Sequence, residues 1–412
     1  MHSRITSHES RFVIRALPGT PFHARTAPLV EGQTWRRWAG YVVASSYELH
    51  HDREYHAIRS SAALFDVSPL FKYHVRGPDA VRLMDRVVTR DVAKAKVGQV
   101  LYTPWCDGAG KVLDDGTISI LSPDFLRLTS AEPNYRWLCE NARGLKVTIE
   151  DTSDRIAALA LQGPNSRVIL EQAAGTSLAS VKFFRLTNAL VRGVPVTITR
   201  TGYTGDLGYE IWMDAEHALP VWDALIAAGT PYGITPAGIL ALDVARIEAG
   251  LLLLDVDYVP ARKALIEQQK SSPIELGLDW TIGFDKPAFV GHGALLAERE
   301  RPAEWRFVGV EVQWEPLEAL YSDLGLAPRL PTMAWRTSVP LYAADTDRQV
   351  GYASSGCWSP LLKKYLTLAH LEANSADVGT ELDIEITVEH RRKRARAHVR
   401  PTPFYNPERK RA

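Results

Sequence analysis

Apolar and polar residues alternate in strand-like runs along most of the chain, and segments with helical periodicity lie between these runs. Alternation is clear in FKYHVRG at 71–77 and VPVTITRTGYTG at 194–205, whereas PAGILALDVARIEAG at 236–250 repeats its apolar residues with helical spacing. This helix is expected to begin after Pro236 and to end at Gly250, because proline favours the first turn and glycine the position past the end. The pattern predicts a mixed α+β protein.

The length of the chain predicts more than one domain. Its 412 residues exceed what one ordinary core holds, since chains beyond about 250 to 300 residues usually divide. The charged, proline-containing segment RPAEWRF at 301–307 is typical of a linker. We therefore expect an α+β region at 1–300, in two intertwined lobes, and a β domain at 301–412.

Alternation within the C-terminal region predicts a β-hairpin whose turn carries a basic run. The apolar positions are Leu382, Ile384, Ile386 and Val388 before RRKR at 391–394, and Ala395, Ala397 and Val399 after it. A solvated turn explains the basic run better than a polyanion site, given the neutral charge of the whole chain.

Charge and cysteine content exclude several classes of function. The 48 basic and 48 acidic residues cancel, so the chain has no long-range attraction to nucleic acid or to an anionic membrane. No run of about 18 apolar residues spans a membrane, and the N-terminus lacks a signal-peptide core. The three cysteines form no CxxC pair, and HHDREYH at 50–56 lacks the i, i+4 histidine spacing of a metal site. We expect a cytoplasmic, metal-free protein that acts on small molecules and is compatible with a monomer.

Four motifs follow one another along the chain. They are LFDVSPL at 64–70, LYTPWCDGAGKVLDDGT at 101–117, LQGPNS at 161–166 followed by RTGYTGDLGYEI at 200–211, and SSGCWSPLLKK at 354–364. This series resembles the T protein of the glycine cleavage system and its relatives. The resemblance implies a three-lobed, folate-binding α+β fold with a C-terminal β-barrel-like domain, and tetrahydrofolate as co-substrate.

Two adjacent carboxylates stand in the second motif. Strand alternation sends Asp114 and Asp115 to opposite faces, so only one of them can face a given site. By its spacing from Tyr102, Asp115 matches the family's aspartate near the reacting nitrogens of folate, which makes Asp115 and Tyr102 the catalytic candidates. A carboxylate there can orient a nucleophilic nitrogen and stabilise positive charge on it. A turn aspartate is the alternative.

Four further residues are candidates for folate binding. Glu210 matches the family's pterin-binding glutamate, and a carboxylate suits the two parallel N–H groups of the amino-pyrimidinone edge. Arg246 matches the second arginine of the family's helix, and Trp280 matches an aromatic residue near the pterin. Tyr203 could line the same site. An exposed strand carboxylate and core aromatic residues are the alternatives.

Three departures from the glycine-cleaving members favour the methyl-transferring branch of the family. Asp107 and Lys111 replace the Asn and the second Gly of one motif, Leu242 replaces the first helix arginine, and the segment 246–258 resembles that branch. The resemblance thus predicts an O-demethylase that moves a methyl group from a methoxylated aromatic acid to N5 of tetrahydrofolate, which gives 5-methyl-tetrahydrofolate and a phenol. A glycine-cleavage-type aminomethyltransferase and a non-catalytic folate-binding protein are the alternatives.

The donor site is the least defined part of this prediction. Its candidate residues are Trp105, Tyr41, Tyr47, Tyr258 and His51, chosen mainly because flat side chains can wall an aromatic donor. Candidate cations for a donor carboxylate are Arg25, Arg36, Arg37, Lys72 and Lys111, and candidate general acids are His50, His51 and Tyr258.

Overall fold

The computed structural model describes residues 17–412, which form a mixed α+β fold. The helices are α1 (His23–Thr26), α2 (Asp52–Ser60), α3 (Ala80–Val87), α4 (Tyr135–Asn141), α5 (Ser166–Ala174), α6 (Ala218–Gly229), α7 (Ile239–Glu248), α8 (His292–Arg299) and α9 (Trp314–Ser322). The strands are β1 (Trp35–Trp38), β2 (Tyr41–Ala44), β3 (Ala62–Asp66), β4 (Phe71–Arg76), β5 (Val100–Cys106), β6 (Val112–Ser122), β7 (Phe125–Ser130), β8 (Thr148–Asp151), β9 (Ile156–Gln162), β10 (Leu186–Val191), β11 (Val194–Thr199), β12 (Gly208–Asp214), β13 (Ile234–Pro236), β14 (Trp305–Val312), β15 (Val339–Ala343), β16 (Gln349–Ser359), β17 (Lys364–Glu372), β18 (Glu381–Val388) and β19 (Arg391–Arg400).

A six-stranded sheet has the order β10-β11-β12-β9-β3-β13 and is antiparallel except for the pair β3–β13. Its central strand β9 is apolar on both faces, since Leu159 and Leu161 pack in one core and Ala158 and Ala160 in another. Helices α5 and α6 contribute to the first core, and helices α2 and α7 to the second. Burial of both faces explains the near-continuous apolar sequence of β9.

A five-stranded antiparallel sheet has the order β5-β6-β7-β4-β8. One face packs its apolar residues against helices α3 and α4. The opposite face is polar, because Thr117 and Thr129 pair across β6 and β7 next to the Ser119–Arg127 pair. Arg127 stacks over Trp212 of β12, so this polar face is turned towards the six-stranded sheet. A polar surface between two sheets is a suitable place for a ligand.

The C-terminal part is a closed barrel with the strand order β14-β17-β16-β15-β18-β19, filled by its own apolar core. The predicted hairpin is confirmed, because β18 and β19 pair from Glu381–His398 to Val388–Arg391. The position of its turn was wrong, since Glu389 and His390, both with positive φ, make the turn and RRKR begins β19. The predicted linker also overlaps the barrel, because β14 begins at Trp305. The domain division at residue 300 stays a prediction.

Across residues 17–412, no helix has the length and apolar character needed to cross a membrane. Within the same range, no three His, Cys, Asp or Glu side chains gather as a metal site requires. The expectations of a metal-free protein and of a cytoplasmic location stay predictions.

Candidate functional site

Asp115 lies on the polar face of β6 and is held by two phenols. Tyr102 of β5 donates to its Oδ2 over 2.9 Å, and the hydroxyl of Tyr258 donates to its Oδ1. Burial raises the pKa of the Asp115 carboxyl, while these two hydrogen bonds act in the opposite direction. An ionised carboxylate has about four acceptor positions, so two remain for a ligand. The predicted pair Asp115 and Tyr102 is therefore brought together.

Asp114 faces the other side of β6, as strand alternation predicts. Its side chain accepts hydrogen bonds from the backbone of Asp115 and Glu132 and from Asn134, at 2.8, 3.0 and 2.7 Å. Burial and the neighbouring Asp115 raise the pKa of Asp114 to about 8, against these three N–H donors. Asp114 is thus a structural carboxylate, and Asp115 is the one that faces the space between the sheets.

An aromatic rim lies beside Asp115. The rings of Tyr102 and Trp280 stack with centroids 6.2 Å apart, and Trp280 remains 59% exposed. Arg90 lies 5.4 Å from the Trp280 ring and donates to its backbone oxygen over 3.2 Å. The exposed indole is available to a planar ligand that enters towards Asp115.

Glu210 lies on β12 of the opposite sheet. Its Oε2 accepts hydrogen bonds from Thr201 over 2.8 Å and from Thr199 over 3.4 Å, and within residues 17–412 its Oε1 has no donor. Burial raises the pKa of Glu210, whereas Thr201 and the positive charge of Arg127 lower it. One carboxylate oxygen is therefore oriented by the protein and the other is left for a ligand.

Arg246 of α7 is buried and held between two carboxylates. It donates to Asp257 Oδ2, and its Nε lies 3.6 Å from Asp243. Its Nε and Nη2 have no hydrogen-bond partner among the described residues. Tyr203 lies nearby and donates to the backbone oxygen of Leu252. These two predicted folate-binding residues lie together, and Arg246 retains donors for a ligand.

The barrel supplies the far end of this network. Ser354 and Ser355 of β16 donate to Asp257 Oδ1 over 2.6 and 2.7 Å, and His370 donates to the Asp257 backbone oxygen over 2.5 Å. Two successive serines reach the same carboxylate because a β-bulge interrupts β16 at this point. The motif SSGC thereby fixes Asp257 and, through it, Arg246.

The structure separates four of the predicted donor residues from Asp115. Trp105 is buried on the opposite face of β5 and donates to Asn134. Tyr41 donates to Asp154 over 2.6 Å, and Tyr47 packs in a small core with Val30. His51 is buried beside α2, and this burial lowers its pKa. Of the donor candidates, only Tyr258 contacts Asp115.

Most of the candidate cations already have partners. Lys72 donates to three backbone oxygens, Lys111 pairs with Glu275 over 2.9 Å, and Arg25 pairs with Asp223. Arg36 lies 3.6 Å from Asp243, and Arg37 is exposed. Within residues 17–412, none of these cations contacts Asp115.

Two of the departures from the glycine-cleaving members, one in the second motif and one in α7, have local explanations. Asp107 accepts hydrogen bonds from the backbone of Ala109 and Lys111 at 2.9 and 3.0 Å, a turn role that Asn also fills. Leu242 packs partly buried against the core beneath α7. Arg336 pairs with the adjacent Asp243 over 2.6 Å, so a cation is still present beside the helix.

Sequence reasoning missed two buried charged residues next to the site. Asp257 holds Arg246, and its signal was an acid between the apolar residues Val256 and Tyr258, in the segment that follows LLLL at 251–254. Arg127 faces Glu210, and its signal was a cation between Leu126 and Leu128, which are both buried. In each case a charged residue inside an apolar segment marked a position that requires a buried partner.

Comparison with known proteins gives the family context. The GCVT N-terminal domain family matches residues 21–286, and the glycine cleavage T-protein C-terminal barrel domain family matches residues 324–406. An aminomethyltransferase of Halothermothrix orenii is 34% identical over 337 residues, which cover 81% of this chain and 86% of that protein. One from Bacillus cereus strain ZK is 35% identical over 358 residues, which cover 85% and 89%.

A solved structure has the same fold. The glycine cleavage system aminomethyltransferase T of Bartonella henselae superposes with a TM-score of 0.80 at 24% identity, covering 95% of this chain and 99% of that one. The predicted fold class, an α+β aminomethyltransferase-like fold with a C-terminal barrel, is confirmed.

Proposed function

The chain belongs to the glycine cleavage T-protein family, a family of transferases whose co-substrate is tetrahydrofolate, and from this premise we propose that it is an aminomethyltransferase. The observation that carries the proposal is the Asp115 carboxylate, which two tyrosines orient beside an exposed tryptophan. The relatives that support it are named aminomethyltransferases.

The described side chains fit a folate. Glu210 presents an oxygen without a donor, and it would accept the N–H groups of the pterin edge. Arg246 has two buried N–H groups without acceptors, which suits it to a polar atom of the ligand. Asp115 would accept from a folate amine and stabilise positive charge that develops there.

The proposed reaction moves one carbon between two bound substrates. The bond between the aminomethyl carbon and the lipoyl sulfur breaks, and this carbon becomes the methylene bridge between N5 and N10 of 5,10-methylene-tetrahydrofolate. Ammonia leaves, and the arm departs with both of its sulfurs as thiols. Holding both reactants in place supplies about 7 to 11 kcal/mol of such a barrier. Asp115 contributes by orienting the nitrogen and by its negative charge.

Methyl transfer from a methoxylated aromatic acid is the second candidate. Tyr258 favours this candidate, because its phenol donates a hydrogen bond to Asp115. Tyr258 belongs to the segment 246–258, which departs from the glycine-cleaving members. Such a hydroxyl could protonate a departing phenolate. The products would be 5-methyl-tetrahydrofolate and a phenol.

A donor panel tests the proposal. The purified protein is incubated with tetrahydrofolate and, separately, with an aminomethyl-lipoyl donor, methoxybenzoates and dimethylsulfoniopropionate, and the folates are then separated by mass. The proposal predicts 5,10-methylene-tetrahydrofolate with the aminomethyl donor alone. Formation of 5-methyl-tetrahydrofolate from a methoxybenzoate would contradict the aminomethyltransferase proposal and support the second candidate. Unchanged folate with every donor would contradict both candidates.

A further inference from the structure

A second cavity opens between the two sheets, away from Asp115. Its volume is about 510 Å³, and its walls come from β4 and β7 on one side and from β10, β11 and β12 on the other. Along the polar face of β6, the alternate residues Asp115, Thr117 and Ser119 lead to Arg127, which pairs with Ser119 and lines this cavity. None of the residues that contact the Asp115 carboxylate belongs to its lining.

The cavity is electropositive. Arg76 and Arg127 both line it, together with His74 and one acid, Asp214. Burial and the charges of Arg127 and Arg76 lower the pKa of His74 to about 4, with Arg155 acting in the same direction and Glu150 against it. Two permanent cations and a neutral imidazole thus face one carboxylate.

Arg127 is the unusual member of this group. It is 3% exposed, its guanidinium stacks 4.3 Å over the ring of Trp212, and its Nε and Nη2 have no hydrogen-bond partner within the described residues. Glu210 is close enough to affect the pKa of Arg127 but makes no ion pair with it. A buried guanidinium without hydrogen bonds is costly, which points to an absent anionic partner.

The remaining walls are mostly apolar. Leu190, Pro195, Val196 and Trp212 line the cavity, and Asn188 and Thr197 are polar groups that can orient a ligand. A volume of this size lies within the range of small-molecule sites, about 300 to 1,000 Å³. An inorganic anion would leave these walls uncovered, whereas a carboxylate on a flat apolar body would use both features.

We propose that this cavity is a second ligand site for a small aromatic carboxylate, separate from the Asp115 site. Arg127 and Arg76 bind the carboxylate by charge-assisted hydrogen bonds, and the ring lies against Trp212 and Pro195. The inference does not rest on the proposed transferase activity, because it concerns binding to the protein without folate.

Benzoate, with benzamide as its neutral isostere, is the probe for this site. Calorimetry should detect benzoate binding to the folate-free protein, with benzamide weaker by at least about tenfold, as expected for loss of a charge-assisted hydrogen bond. Arg127→Met should weaken benzoate binding by at least about tenfold, while Arg82→Met, which alters an exposed arginine of α3, should not.

A cavity-filling variant keeps the test independent of any folding defect in Arg127→Met. Leu190 lines the cavity and is largely exposed, so Leu190→Trp should abolish benzoate binding and leave tetrahydrofolate binding unchanged. In the wild-type protein, benzoate should also raise the pKa of His74 in an NMR titration, because an anion beside the imidazole favours its charged form.

Three results would overturn the second site. The first is that benzoate does not bind to the wild-type protein. The second is that Arg127→Met or Leu190→Trp binds benzoate with the same affinity as the wild-type protein. The third is that tetrahydrofolate displaces benzoate competitively.

Discussion

At the scale of single residues, the candidate site depends on one carboxylate whose direction two phenols determine. Asp115 accepts from Tyr102 and Tyr258, which come from segments far apart in the chain. Its neighbour Asp114 has the same chemistry but is occupied by backbone and Asn134 donors on the opposite face. The position of a carboxylate on the strand, rather than its type, determines its role.

Substitution of Asp115 by Asn should reduce the rate of one-carbon transfer by about 10² to 10³, because a group that stabilises charge in the transition state is lost. Folate affinity should change much less. Steady-state kinetics and calorimetry measure the two effects. Asp114→Asn is the matched control. It should lower the melting temperature and have little effect on the rate constant. If Asp114→Asn slowed the reaction and Asp115→Asn mainly lowered the melting temperature, the assignment of the catalytic role to Asp115 would be wrong.

The pH dependence of kcat/KM should report Asp115. The carboxylate acts in its ionised form, and burial raises its pKa, so activity should be lost as pH falls through a value above that of an ordinary aspartate, about 3.9. Tyr258→Phe removes a donor that favours the ionised form, and the acid limb should therefore move to higher pH. Tyr365→Phe in the barrel should not move it. An unchanged acid limb in Tyr258→Phe would argue against this assignment.

At the scale of elements, the barrel and α7 meet through Asp257. The bulged strand β16 provides two serines, the segment after α7 provides the carboxylate, and α7 provides Arg246. Three elements thus converge on one buried ion pair. The C-terminal barrel is in this way joined to α7 and the segment after it by hydrogen bonds as well as by apolar packing.

Asp257→Asn should destabilise the protein by about 3 to 5 kcal/mol, because the buried Arg246 loses the closer of its two carboxylate partners and keeps only Asp243, at 3.6 Å. Denaturant unfolding measures this change. Asp377→Asn removes one partner of the exposed ion pair with Arg306 and should change stability by no more than about 1 kcal/mol. Similar values for the two variants would show that the Asp257 pair does not hold the elements together.

The sequence was sufficient for the elements but not for all of the site. Alternation and helical spacing predicted the C-terminal hairpin and α7, because these patterns express burial on one face. Motif spacing predicted Asp115 and Glu210 as site residues, and their roles stay predictions. Trp105 and Tyr41 were not distinguishable from site residues, since an aromatic side chain has the same sequence signal in a core, at a surface and in a ligand site. Asp257 and Arg127 depend on contacts between distant segments, which no local pattern records.

At the scale of the whole molecule, the segment after the barrel returns to the loop before β12. Arg409 makes two hydrogen bonds to the buried Asp206, over 2.7 and 2.9 Å, and Tyr405 donates to the same carboxylate over 3.2 Å. Asp206 belongs to the glycine-rich loop before β12, which carries Glu210. The segment after the barrel therefore holds the loop that precedes the strand of Glu210.

Arg409→Ala should lower stability by about 1 to 3 kcal/mol, because the buried Asp206 carboxylate loses its two shortest charged hydrogen bonds and keeps only Arg59, at 3.5 Å, as a charged partner within residues 17–412. Thermal unfolding with and without tetrahydrofolate would measure it, and the stabilisation by folate should be smaller than in the wild-type protein. Arg411→Ala, at an exposed position two residues away, is the matched control. Equal behaviour of the two variants would mean that the terminal segment has no effect on the loop.

The central claim is that folate binds between the two sheets, with its pterin on Glu210. Its most direct test is the dissociation constant of tetrahydrofolate, measured by calorimetry, for the wild-type protein, Glu210→Gln and the exposed control Glu216→Gln. Loss of charge-assisted hydrogen bonds should weaken binding to Glu210→Gln by about tenfold to a hundredfold, with Glu216→Gln unchanged. Equal affinity of Glu210→Gln and the wild-type protein would contradict the account.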